Sequence, residues 1–193
     1  MAKRLAKHVG RNSTIVQTWL ADNDSYGPTI AFAVDINHAM TLAEAFQKAG
    51  VAADWISHTT AGRDAIIARF RSGELKVLVN VELLTEGVDL PAVQTVLLCR
   101  PTQSEVLMSQ MIGRALRGPG VGGTEVAHLV SFHDQWEQFT GWLDPIDLLT
   151  PELQEPTPPP AGERAELMEV PLDLIRLAAA EAQERWPAEV GEV

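Results

Sequence analysis

The chain has 193 residues, with 15 Lys and Arg against 26 Asp and Glu, a formal net charge of −11 and 46% hydrophobic residues. That length buries one α/β core with an appendage but hardly two full domains, and the acidity excludes a free-standing nucleic-acid binder, whose affinity rests on neutralising phosphates with Lys and Arg. One cysteine, Cys99, excludes an internal disulfide, and no stretch approaches the roughly 18 consecutive apolar residues of a membrane span.

The N-terminal segment, residues 1–26, reads as a connection. Leu5, Val9, Ile15, Val16, Trp19 and Leu20 fall at helical spacing and predict an amphipathic helix pair over residues 3–21, broken near Gly10. From Tyr26 onward strands and helices alternate: strand 29–34, helix 37–49, strand 51–56, helix 62–72, strands 76–81 and 93–99, helix 103–117 and strand 125–131. Such alternation implies an α/β domain over residues 27–150, a parallel sheet of about six strands covered by helices on both faces. Asp35 or Asn37 is positioned to cap the first of these helices, and Gly50 and Gly73 stand just past the helices they end.

Phe132, Trp136, Phe139 and Trp142 then recur at spacings of 4, 3 and 3, an aromatic stripe on one helical face whose ordinary use is packing. Residues 151–193 form an appendage. Pro151, Pro156, Pro158, Pro159 and Pro160 make an extended linker, and Leu172 to Trp186 favours an acidic amphipathic helical tail stopped by Pro187. Charge is unevenly placed: residues 1–150 hold 12 Lys and Arg against 16 Asp and Glu, whereas residues 151–193 hold 3 against 10.

Chemistry concentrates in two runs. The strand KVLVNV ends at Val81, and the polar loop after it carries Gly87 and Asp89, small and acidic residues at a strand terminus, where open α/β sheets bind ligands. In QMIGRALR, Gln110, Arg114 and Arg117 stand at i, i+4 and i+7, so on a helix their side chains emerge within roughly 60° of one another. Two guanidiniums and an amide on one face suit a multiply charged oxyanion such as the γ-phosphate of ATP. Taken alone, the helix reads more readily as a solvated polar face.

Together the run NVELLTEGVDLP from Asn80 to Pro91, the RPT at Arg100 and QMIGRALR resemble motifs V and VI of the superfamily-two helicases. TIAFAV from Thr29 resembles their motif IV, and Arg63 falls where that family has a motif IVa arginine. The wording is similar to the branch of restriction-enzyme motor subunits and related DNA-repair helicases, and the resemblance spans about residues 27–145. It implies a RecA-like second motor domain, sharing an ATP site with a first RecA-like domain.

By that resemblance Arg114 and Arg117, supported by Gln110, act on the γ-phosphate. Gly87, Asp89 and Gly113 bind the nucleotide, and Thr59, Thr60, Arg63, Asn80 and Thr85 contact nucleic acid, with DNA the expected substrate. The P-loop and the acidic pair that hold ATP with Mg²⁺ are missing from this sequence, so the chain alone is expected not to hydrolyse ATP. The remaining signals are weak. The glycines Gly118, Gly120 and Gly123 match G-x-G-x-x-G but follow a helix and precede a strand, the wrong order for a dinucleotide site, and the five histidines lack metal-ligand spacing. A cytoplasmic ATP-dependent helicase or translocase is the expectation; a non-catalytic RecA-like interaction module is the alternative.

Overall fold

The computed structural model describes residues 9–81, 93–100, 126–133 and 164–171. Helix α1 (Val9–Ala21) and a single turn α2 (Asn23–Tyr26) lead into strand β1 (Thr29–Phe32). Helix α3 (Ile36–Lys48), β2 (Ala53–Ile56), α4 (Arg63–Arg71), β3 (Val77–Asn80), β4 (Thr95–Leu98), β5 (Val126–His133) and β6 (Arg164–Pro171) follow. The strands form one sheet in the order β2-β3-β1-β4-β5-β6. The first five run parallel, with β1 in the middle, Phe32 opposite Asn80 on one side and Leu98 on the other. The expected helix 103–117 lies outside the described residues.

Parallel strands covered on both faces should be buried without alternation, and β1, β3 and β4 are. Ala31, Val77, Val79, Leu97 and Val130 join one cluster with Ile15, Val16 and Trp19 of α1 and Leu42 and Phe46 of α3. The alternate residues Ile30, Leu78, Val96 and Leu129 are equally buried on the opposite face. Trp19 meets Phe46 edge-on at 5.8 Å, and its indole Nε1 donates to the buried Thr29 hydroxyl at 2.9 Å. Burying a side chain the size of Phe46 stabilises by about 2 to 3 kcal/mol, and α3 is held to the sheet mainly by such contacts.

Two expectations change, while the break expected near Gly10 falls at the margin of the described residues, where α1 begins at Val9. Phe132 belongs to β5 rather than to a helical aromatic stripe, and it is buried in the core; Trp136, Phe139 and Trp142 lie outside the described residues. The sixth strand is antiparallel and comes from the appendage, with Val126 opposite Pro171 and His133 opposite Arg164. An antiparallel edge strand on a parallel sheet is common, and its Pro171 is compatible with the edge, where a ladder donor is dispensable.

At the other edge, β2 is guarded against further pairing. The outward carbonyl of Ala53 accepts from Gln47 Nε2 at 2.8 Å, and the outward N–H of Trp55 donates to Asp54 Oδ1 at 2.9 Å. Arg69 bridges Asp54 and Glu74 beside it, at 2.9 and 2.6 Å. Side chains thus take the groups that would otherwise template another strand.

Candidate functional site at the carboxyl edge of the sheet

Ligands of open α/β sheets gather at the carboxyl ends of the strands, and here four such ends are described. Past β2, the chain turns through Ser57, His58, Thr59 and Thr60 to Gly62, whose φ of 71° opens α4. Ser57 is fully buried and organises the turn. Its N–H donates to Thr60 Oγ1 at 2.8 Å, its Oγ lies 3.0 Å from Thr59 Oγ1 and 3.2 Å from Thr60 Oγ1, and its carbonyl accepts from Thr60 N. Thr59 is exposed, Thr60 and Arg63 half-buried.

Three hydroxyls and the first residue of α4 therefore sit in one loop. Arg63, in the first turn of that helix, brings a cation beside backbone N–H groups that already favour anions. Such a loop can donate to phosphate oxygens through hydroxyls, guanidinium and backbone together.

Past β3 stands Asn80, buried to 1% exposure and paired in register with Ile56 of β2 and Phe32 of β1. Its carbonyl accepts from Ala33 N at 2.9 Å, while Val81 N donates to Ile56 O at 3.1 Å. The adjacent strands β2 and β3 bring Thr59, Thr60, Arg63 and Asn80 to one side of this edge. Burial makes the Asn80 side chain a framework element of the edge more than a surface donor.

Past β1, Asp35 caps α3, accepting from His38 N at 2.8 Å. The fully buried His38 ring accepts from Val34 N at Nδ1, 3.2 Å, so its proton resides on Nε2, 3.2 Å from Asn12 Oδ1. Burial, and secondarily the nearby Arg11 guanidinium, lower its pKa to about 4 against the opposing pull of Asp35. Past β4, Arg11 Nη1 donates to the Cys99 carbonyl at 2.9 Å, with Arg11 only 4% exposed.

Thr85, Gly87, Asp89, Gln110, Gly113, Arg114 and Arg117 lie outside the described residues. Ser57, Arg11, Asn12 and His38 were not singled out by sequence reasoning. Ser57 had a signal, the Ser-x-Thr-Thr run at the end of an apolar strand; Arg11, Asn12 and His38 act across 26 to 88 residues of chain and leave no local pattern. Among the described residues no group of three or more His, Cys, Asp or Glu is arranged to hold a metal ion, and no helix is long and apolar enough to cross a membrane.

Comparison with known proteins places this edge in context. The helicase conserved C-terminal domain family matches residues 11–119. A Saccharomyces cerevisiae protein named as an ATP-dependent helicase, IRC3, is 41% identical over 110 residues, 55% of this chain and 16% of that protein. A Schizosaccharomyces pombe protein named as a mitochondrial ATP-dependent helicase is 36% identical over 105 residues, 53% of this chain and 17% of that protein. The chain thus matches less than a fifth of these relatives' length. Among solved structures, the Escherichia coli DEAD-box protein SrmB superposes with a TM-score of 0.54 over 63% of this chain and 68% of that one at 23% identity, a likeness of fold.

Proposed function

On the premise that the chain belongs to the helicase conserved C-terminal domain family, we propose that it is the second RecA-like half of an ATP-dependent nucleic-acid motor. The observation that carries this reading is the run from Asn80 to Arg117, in which a strand-end loop and an arginine pair stand in the order and spacing such a motor uses. Residues 27–150 are the motor core, residues 1–26 the segment joining it to a first RecA-like domain, and residues 151–193 an appendage.

In this reading Arg114 and Arg117 neutralise charge developing on the γ-phosphoryl group, with Gln110 completing the donor set, a contribution on the order of 10³ to 10⁵ in rate. Gly87, Asp89 and Gly113 line the nucleotide. The donor set fits a polyphosphate, and the residues that would hold Mg²⁺ belong to the partner domain. ATP supplies the free energy of phosphoanhydride cleavage; this chain supplies cations and closure of the cleft.

The strand is held by Thr59, Thr60, Arg63 and Thr85 through phosphate contacts, with Asn80 shaping the edge beneath them. Support comes from the Ser57 turn, which gathers two of these hydroxyls beside the first turn of α4. Contacts of this kind position a backbone without reading its bases, as a translocating motor requires. DNA is the proposed substrate and the cytoplasm the proposed compartment.

ATP turnover measured on this chain and on the complete polypeptide that carries it, each with and without single-stranded DNA or RNA, tests the proposal. Only the complete polypeptide should hydrolyse ATP, faster with strand present. Turnover by the isolated chain would sink the half-motor reading outright, and no strand-stimulated turnover by the complete polypeptide would sink it in favour of an interaction module.

A further inference from the structure

The sheet places the loops proposed for the strand, past β2 and β3, on one side of β1, and the exit of β4 toward Arg100 on the other. A series of hydrogen bonds, linked through sequence neighbours, crosses between them. Val81 N reaches Ile56 O, joining the ends of β2 and β3; Ala33 N reaches Asn80 O, joining β3 to β1. One residue on, Val34 N donates to His38 Nδ1, His38 Nε2 donates to Asn12 Oδ1, and the neighbouring Arg11 donates to the Cys99 carbonyl.

Pairing between β1 and β4 ends at Phe32 and Leu98, and past that point Arg11 of α1 reaches Cys99 directly, while Asn12 reaches Val34 through the His38 ring. The polarity of the clasp is fixed. His38 accepts at Nδ1 only while neutral, and Asn12 uses both ends of its amide, its Nδ2 donating to Thr41 Oγ1 at 3.3 Å. All three residues are nearly or fully buried, so none is available to touch a ligand.

We propose that Arg11, Asn12 and His38 are positioning residues that couple strand binding at the loops past β2 and β3 to the segment leaving β4 at Arg100. The inference rests on the motor reading and deepens it. Strand contact that shifts the end of β3 shifts the end of β1, and α1 carries that shift to the Cys99 carbonyl. The clasp is the part of the path made by side chains, so it can be removed without touching a residue of either site.

The test is the ratio of strand-stimulated to basal ATP turnover in the complete polypeptide, with strand affinity measured separately. Asn12→Ala and Arg11→Met should each lower that ratio about five-fold or more, with basal turnover and strand affinity nearly unchanged, and Arg11→Lys, which keeps a donor for Cys99, should restore most of it. Basal and stimulated turnover falling in proportion would mean that the clasp only stabilises the fold, and an unchanged ratio would remove its coupling role; either result overturns the proposal. Should Arg11→Met fail to fold, Asn12→Ala, which leaves the Arg11 bond in place, decides alone. A wild type with no strand stimulation would instead strike down the motor reading, and the two failures are thereby distinguishable.

Discussion

At the scale of single residues, His38 gives a pH signature of the folded state. Unfolded, an imidazole takes up its proton near 6.5; folded, His38 does so near 4, because burial opposes the charge. Below pH 6.5 the unfolded chain therefore holds the extra proton, and stability falls as pH drops from 6.5 toward 4, by roughly 3 kcal/mol over that window. Denaturant midpoints of this chain between pH 4 and 7 should show that slope, and His38→Gln should flatten it; equal slopes in both would place the acid sensitivity elsewhere. Gly27 offers a second check, since φ 56° and ψ −154° lie where only glycine is at ease, and an added Cβ would overlap the Gln94 side chain. Gly27→Ala should cost about 1 to 3 kcal/mol, more than Gly50→Ala, where φ is 82° but the space beside it is open; the reverse order in urea unfolding would contradict this account. Neither His38 nor Gly27 announced itself in the sequence, because a histidine one turn into a helix and a glycine before a proline each have many uses until the distant partner is known.

At the scale of elements, local chemistry was legible where it was self-contained. Asp35 and Asn37 were both eligible to cap α3; Asp35 does so, and Asn37 is exposed. Asp35→Ala should destabilise by about 1 kcal/mol and Asn37→Ala by much less, and equal losses in thermal unfolding would mean that the cap is not what the Asp35 side chain contributes. Gly50 and Gly73 end α3 and α4 as expected, both with positive φ, and Gly50 N to Gln47 O with Val51 N to Phe46 O completes a six-residue turn that satisfies the Phe46 and Gln47 carbonyls. What escaped was non-local. The strand β6 carries Glu166 and Glu169 and so lacks the apolar run that betrays a parallel core strand, and its identity depends on β5 being available beside it.

At the scale of the whole molecule, the alternation of apolar runs with amphipathic segments was enough to give the α/β class, whereas the order of strands was not legible, because the connections from β1 to β2 and from β3 to β4 each pass over an intervening strand. Of the candidate site, the sequence made legible the loop past β2 that carries Thr59, Thr60 and Arg63 and the end of the adjacent β3 at Asn80, while the clasp of Arg11, Asn12 and His38 emerges only once the sheet is assembled. The central claim is that Arg114 and Arg117 serve a nucleotide held chiefly by another domain. Its most direct measurement is strand-stimulated ATP hydrolysis by the complete polypeptide, comparing wild type with Arg114→Ala and Arg117→Ala at matched ATP occupancy. The account predicts that turnover falls by about 10³-fold or more in each variant while ATP still binds; undiminished turnover in either would contradict it.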